Sequence, residues 1–288
     1  MKTPRISVVT PSFNSIRTIR QTIESVLHQK YPDLQHLVID GGSTDGTVEL
    51  LRQYSHLIWV SEKDQGHYDA MNKGITRADG DLITILNSDD CLRSHALAEV
   101  SEAFQKNPGW DAAFGDVVCV DGEGREIYRR EEAGYDYRIL RYWRNYLCHQ
   151  TLFVKKAVHD RIGLYRHREF LNCCDYEFFL RMGREQCSVG HIRALLVDYR
   201  FHAYGQSADL RVAQNMIREF ELIRREYGVS SRWAKVLSIY GRFLRQFQKL
   251  LYRGKCDLIP GNWLLRKHMH DRTHFSSNCA VDQLGTKP

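Results

Sequence analysis

Along the first third of the chain, short apolar runs rich in Ile, Val and Leu alternate with stretches whose apolar positions recur at three- and four-residue steps. Short buried runs read as strands and the longer spacing as amphipathic helices. The pattern predicts strands at Ile6–Thr10, His36–Asp40, Leu57–Ser61 and Asp81–Leu86, with helices near Ser15–Gln29, Thr47–Tyr54 and Tyr68–Thr76 between them. Such a β-α-β rhythm implies an α/β fold whose mostly parallel sheet is flanked by helices. Further on, the pattern predicts a helix at Leu97–Gln105 and a strand pair near Ala112–Val120 and Glu126–Arg129 about the turn Asp121-Gly-Glu-Gly124. It also predicts a strand at Leu152–Val154 and a helical stretch near Tyr176–Arg184. After about residue 208 it becomes helical throughout. Between 232 and 252, Trp233, Val236, Leu237, Tyr240, Phe243, Leu244, Phe247, Leu250 and Leu251 define one face, and the intervening positions carry Arg and Lys with no acid. This is a basic amphipathic helix, with two readings: a membrane-surface anchor, or a helix packing its apolar face on the rest of the protein or on another subunit.

The 288 residues are 43% hydrophobic, which suits a packed core and excludes a disordered chain. The net charge of +6 is uneven: residues 200–288 hold 16 Lys and Arg against 7 Asp and Glu, or +9, leaving −3 for residues 1–199. A basic last third points to an anionic partner, for which lipid headgroups fit better than nucleic acid, since no recognised nucleic-acid module or stacking platform accompanies the charge. The first strand begins too early for a signal peptide, and no apolar run is long enough to span a bilayer. Eight scattered cysteines without a paired framework suit a reducing cytoplasm.

In an open parallel sheet, ligands bind beyond the C-terminal ends of the strands. Four consecutive strands here end in polar clusters: Thr10-Pro-Ser-Phe-Asn14, Asp40-Gly-Gly-Ser-Thr-Asp45, Glu62-Lys-Asp64 and Asn87-Ser-Asp-Asp90. Adjacent carboxylates at Asp89 and Asp90 suit a hard divalent cation, Mg2+ or Mn2+, though they could equally cap a helix beginning near Ser94. Asp40, followed by two glycines, is placed either to accept a base N–H or simply to shape a strand-to-helix turn. The first loop has neither the glycine nor the basic residue expected of a nucleotidyltransferase. No phosphate loop of the GxGxxG or GxxxxGK[ST] type occurs at a strand-to-helix junction.

Taken in order, Thr10-Pro-Ser-Phe-Asn, Ile39-Asp-Gly-Gly-Ser-Thr-Asp-Gly-Thr, Ser61-Glu-Lys-Asp-Gln-Gly-His-Tyr-Asp-Ala-Met-Asn-Lys-Gly and Leu86-Asn-Ser-Asp-Asp resemble family 2 glycosyltransferases of the GT-A fold, over about residues 5–205. The third motif is similar to that of the subgroup associated with O-antigen, capsule and exopolysaccharide assembly. The resemblance implies a catalytic domain over 1–208, with a nucleotide-sugar half over about 1–120 and an acceptor half over about 121–208, followed by a basic helical extension over 209–288. It implies that Thr10 and Pro11 line the nucleotide pocket, Asp40 pairs with the base, and Asp64 and Asn72 face the nucleotide-sugar. Asn87, Ser88 and Asp89 would contact the donor, with Asp89 holding the metal. The family's usual Asp-x-Asp begins here with the neutral Asn87.

Asn172-Cys-Cys-Asp-Tyr-Glu resembles the family's acidic motif at the start of a helix, so Asp175 becomes the general base of an inverting transfer. Its alternative is a helix cap. His149 and Gln150, just before a strand, would lie near the donor sugar and acceptor, and His202 would supply a further metal or diphosphate contact. The implied reaction moves a sugar, with uridine diphosphate as the carrier, to a hydroxyl of a glycan or lipid-linked glycan. The implied place is the cytoplasm, at the inner face of a bacterial membrane. The neutral Asn87 also leaves open a non-catalytic, membrane-associated partner of an assembly complex. A zinc site from His268, His270, His274 and Cys279 is disfavoured by its spacing and its basic surroundings.

Overall fold

The computed structural model describes residues 3–201, 210–229 and 233–253. His202 and the His268–Cys279 cluster lie outside them. The chain begins β1 (Ile6–Ser12), α1 (Ile19–Leu27), β2 (Leu34–Asp40), α2 (Thr47–Leu51), β3 (Ile58–Ser61), α3 (His67–Arg77), β4 (Leu82–Ile85), β5 (Cys91–Leu92) and α4 (Ala96–Lys106). It continues through β6 (Ala112–Val120), β7 (Glu126–Arg130), α5 (Tyr137–Tyr142), a 3-10 turn at His149–Thr151, β8 (Leu152–Lys155) and α6 (Lys156–Ile162). The described elements end with α7 (Cys174–Arg184), β9 (Val189–Arg200), α8 (Leu210–Glu226) and α9 (Ala234–Arg253).

One nine-stranded sheet runs β3-β2-β1-β4-β8-β6-β9-β5, with β7 paired to β6. β1 is parallel to β2 and β4, β2 to β3, and β6 to β9, whereas β8 is antiparallel to both β4 and β6. The reversal positions the site. Because β8 runs backwards, the turn that enters it lies at the same edge at which β4 leaves, so His149 arrives beside Asn87.

Successive strand residues face opposite sides. Val9 of β1 and Phe114 of β6 accordingly join a cluster with Met71 and Ile75 of α3 and Phe178 and Phe179 of α7. Ile6, Val8 and Ala113 join Leu97, Val100 and Phe104 of α4 on the other face. Ile223 of α8 and Tyr227 just beyond it are buried in the first of these clusters, so α8 is seated in the core that β1, β6, α3 and α7 share.

Three elements differ from the sequence reading. Helix α1 starts at Ile19, because Ser15–Thr18 forms a turn in which Ser15 and Ile16 donate to Thr47 and Asp45. β9 is a full twelve residues, paired along β6. The amphipathic helix α9 turns Arg245 and Lys249 inward beside Leu244, which packs on the core, and leaves Val236, Tyr240, Phe243, Phe247, Leu250 and Leu251 exposed, so its apolar face packs on the protein only in part.

Candidate active site

At the end of β2, the Asp40 carboxylate is filled by its own loop. Oδ2 accepts the N–H of Gly42 at 3.1 Å and of Ser43 at 2.9 Å and the Ser61 hydroxyl at 2.7 Å, and Oδ1 accepts the Ser43 hydroxyl. As folded, Asp40 is fully buried and is the keystone of the turn. Asp64 approaches from the loop after β3: a Cβ added at Gly41 would lie 2.5 Å from its Oδ2, so a side chain there would have to push the Asp64 carboxylate aside. Its Oδ1 takes the Gly66 N–H at 2.9 Å, and Gly66, at φ +104, opens α3 in a conformation that side chains disfavour. Phe13 stands 63% exposed at the mouth beside Gly41. Asn14 ties the first two loops together, accepting from Thr44 N–H at 3.0 Å and donating its own N–H to Ser43 at 2.7 Å.

Four more of the residues expected to meet the substrate lie buried in the protein. Thr10 is fully buried with its hydroxyl 3.0 Å from His36 Nε2, and burial pushes that imidazole's pKa down to about 3, with His56 adding to the shift. Pro11 beside it is buried as well, so the open part of this loop is Phe13 and Asn14. Asn72 donates to Tyr165 O at 2.8 Å, accepts Tyr165 N–H at 2.9 Å and lies 3.0 Å from His167 Nδ1, so it staples α3 to the 165–167 segment instead of facing a nucleotide-sugar. Gln150 is buried, where it donates to Asp90 at 2.8 Å and accepts the Cys148 thiol.

Beyond β4 the loop is pinned from behind. Asp90 is buried and accepts from Gln150 and from Arg200 N–H at 2.9 Å. Burial and the neighbouring Asp89 charge push the Asp90 carboxyl well above the ordinary range, against the pull of its hydrogen bonds. Asp90 is therefore a support of the loop and not the cap of α4, whose first residue is Ala96. The Arg200 guanidinium spans the loop, donating to Asp89 O at 3.0 Å, Gly122 O at 2.9 Å and Gln21 at 2.6 Å. Asn87, Ser88 and Asp89 stay half-buried at the rim, with Ser88 2.8 Å from the Ser15 hydroxyl.

Across the cleft, His149 lies with Nε2 3.4 Å from Asn87 Oδ1 and Nδ1 3.5 Å from Asp175 Oδ2. The other oxygen of Asp175 accepts the Tyr68 hydroxyl at 3.0 Å and Tyr176 N–H at 2.7 Å. Burial raises the Asp175 carboxyl, but His149 and these hydrogen bonds outweigh it and hold the group below its usual range. Its side chain remains 19% exposed, so a hydroxyl can reach it. His67, at the start of α3, is driven down to about 4 by burial and by His149, and stays neutral at ordinary pH.

Two neighbours in sequence do different work. Glu177, one helical step inward from Asp175, is fully buried and pairs with Arg181 at 2.9 Å and Arg166 at 3.3 Å, with the Tyr227 hydroxyl donating at 2.8 Å. Helix α7 has no side-chain cap of its own. Glu219, reaching over from α8, accepts the N–H groups of Leu171, Asn172 and Cys173 at 2.8–2.9 Å and the Asn172 amide at 3.0 Å. The helix start that carries Asp175 is thus set by a residue from the C-terminal third.

Two expectations follow. Glu219→Ala should lower any turnover that depends on Asp175 about tenfold, the scale of a small misplacement of a reacting group, with KM little changed and Glu219→Gln partly restoring the rate. Steady-state kinetics of the three proteins decide it, and a loss confined to KM would contradict a role in placing Asp175. Secondly, a depressed carboxyl keeps its base form as the pH falls until its own low pKa is reached. A pH profile of kcat/KM should show no acid limb from Asp175 until below about 4, the ordinary carboxylate value. A limb near neutrality would assign the base elsewhere.

Comparison with known proteins defines the class. The chain belongs to glycosyl transferase family 2, whose family model matches residues 7–170, more than half of it. It is 27% identical over 249 residues to a PGL/p-HBAD biosynthesis glycosyltransferase of Mycobacterium bovis, covering 83% of this chain and 94% of that one. Among solved structures, it superimposes on the mannosyltransferase PcManGT of Pyrobaculum calidifontis, in complex with GDP-Man and Mn2+, with a TM-score of 0.61 at 18% identity, covering 94% of this chain and 81% of that one. S. aureus TarS 1-349 in complex with UDP-GlcNAc gives a TM-score of 0.57 at 14% identity, covering 86% and 73%. The fold is that of the GT-A glycosyltransferases.

Proposed function

We propose that the protein is an inverting glycosyltransferase that moves a sugar from a nucleotide diphosphate sugar, with uridine as its nucleoside, to a hydroxyl of a glycan or lipid-linked glycan in bacterial cell-surface polysaccharide assembly. The observation that carries this is the line Asn87–His149–Asp175, which joins the donor-side strand ends to an ionised, partly open carboxylate. The acceptor oxygen forms a bond to the anomeric carbon as the bond from that carbon to the terminal phosphate oxygen breaks; the hydroxyl proton passes to Asp175 and the nucleoside diphosphate departs. His149 orients the carboxylate, and Tyr68 holds its other oxygen. Phe13, Asp64 and the Asp40 loop would form the nucleoside wall.

Among the described residues no three His, Cys, Asp or Glu side chains converge on one point. The half-buried Asp89 and the neutral oxygen of Asn87 nevertheless fit a hard cation held jointly with substrate phosphates, the usual way in which Mg2+ is bound. Mg2+ or Mn2+ there would neutralise charge on the leaving diphosphate. The names of the relatives support this reading: one acts in PGL/p-HBAD biosynthesis, and two solved neighbours carry UDP-GlcNAc, or GDP-Man with Mn2+. The six described cysteines are all unpaired, in keeping with a cytoplasmic site of action.

The test is a panel of nucleotide-sugars with Mg2+ or Mn2+, scored for released nucleoside diphosphate with and without chelator. Metal-dependent release from one donor supports the reading and names the sugar. Donor binding without release, even in the presence of a lipid-linked acceptor extract, would favour a non-catalytic partner. In the same assay Asp89→Ala should weaken donor binding about tenfold or more with metal and little in chelator, the cost of losing one charge-assisted contact. Equal affinity of the two proteins with metal would remove Asp89 from the site.

A further inference from the structure

Helix α9 has its polarity reversed. Toward the protein it presents Gly241, Leu244, Arg245 and Lys249: Gly241 lies against Trp143, Leu244 packs on the core, and Arg245 is 2% exposed with its guanidinium 4.0 Å from the centre of the Tyr146 ring. Arg245 pairs with the buried Glu132, and Lys249 lies 3.7 Å from the same carboxylate. Outward, at three- and four-residue steps, it presents Val236, Ile239, Phe243, Phe247, Leu250 and Leu251, with Ile239 72% and Phe243 69% exposed. Rolling the helix to bury that stripe would take Arg245 and Lys249 away from the buried Glu132, beside which Arg130 stays at 3.7 Å, and breaking up a buried ion cluster from one side is costly. The apolar face is held outward by the ion cluster beneath it.

We propose that this face is a docking surface for the anionic headgroup region of a lipid bilayer, on which α9 lies flat. Charge complementarity selects the occupant. Helix α9 has no acid, and Arg242 is exposed among its apolar residues. Two acids of the neighbouring segment are engaged, Asp136 by Arg138 and Glu132 by Arg130 and Arg245. A second copy would bring two such basic faces together, and like charges oppose that. The following residues 254–288 carry five Lys and Arg against three Asp and Glu, so they too lack the complementary charge. Trp233 and Tyr240, both exposed, have the amphipathic rings that favour a headgroup boundary. Among the described residues no helix is long and apolar enough to cross a membrane, so the contact lies on the surface.

The experiment is co-sedimentation of the full chain with vesicles of phosphatidylcholine alone and of phosphatidylcholine mixed with phosphatidylglycerol. Binding to the mixed vesicles is expected to be about tenfold or more tighter and to weaken with salt, as headgroup attraction screens out. The double variant Phe243→Ser, Phe247→Ser should lose about tenfold or more of that binding, since two exposed rings no longer enter the boundary, while its nucleotide binding is unchanged. Wild-type-like vesicle binding by the variant would overturn the proposal, as would failure of the native chain to bind either vesicle. A concentration-dependent dimer that the variant dissolves, without vesicle binding, would make the occupant a second copy and overturn it too. Donor hydrolysis measured without vesicles stands apart from all of these, so its failure would bear on the catalytic reading alone.

Discussion

Asp175→Asn is expected to abolish glycosyl transfer, lowering kcat by roughly a thousandfold, within the range for a positioned general base, while donor affinity stays as it was. The substitution keeps the shape and leaves an amide oxygen for Tyr68 and Tyr176 N–H, which now hold Oδ1 at 3.0 and 2.7 Å. What disappears is the negative charge and the site that receives the acceptor's proton. Asp175 stands on α7, whereas Asp64, Ser88 and Asp89, the proposed nucleotide side, stand on the loops after β3 and β4, so a loss of chemistry can be read apart from a loss of binding. Product formation would be followed alongside donor titration. Retained turnover, or a parallel loss of donor binding, would refute Asp175 as the base.

Two positions along the same helix, the expected outcome is different in kind. Glu177→Ala should destabilise the protein by about 3–5 kcal/mol, the usual consequence of breaking a buried ion pair from one side. It strands Arg181 and the Tyr227 hydroxyl, and it removes one of the carboxylates that hold Arg166. A fall in Tm of roughly 10 °C is the corresponding scale for a domain of this size. Denaturant or thermal unfolding of the variant measures it, and a stability near that of the native chain would mean that water or neighbouring acids replace Glu177 without loss. The contrast between the two carboxylates matters because they stand in one short acidic motif. One faces the cleft and the other faces the core, as a helical repeat requires of residues two apart.

The β-α-β half was legible because local signals agree there. Apolar runs, glycine turns and polar strand ends all point to one parallel sheet, and the loops after β1 to β4 fall where the sequence places them. The individual side chains were less legible. Asn72 and Gln150 stand in the right motifs, yet their partners Tyr165, His167 and Asp90 are distant in sequence, and only the folded chain reveals that they are already engaged. The same holds for Tyr68 and Glu219: a tyrosine after a glycine turn and an acid in a basic helix carry no local mark of contact with the Asp175 helix. Helices α5 and α6 are short and lie between aromatic and basic residues, so spacing alone did not announce them. Helix α9 was correctly legible as amphipathic, but which face is outward depends on Glu132, a hundred residues earlier.

The seating of α8 and α9 also bears on how such a chain can be inherited. Glu219 supports the start of α7, Tyr227 supports Glu177, and Arg245 balances Glu132, so three separate points of the first two hundred residues find their complement in the last ninety. The two parts are not interchangeable cassettes. A recombination event that exchanged the tail for one from a relative would have to bring a carboxylate, a phenol and a cation to the same three places, and lineages that diverge at one end are thereby obliged to diverge at the other.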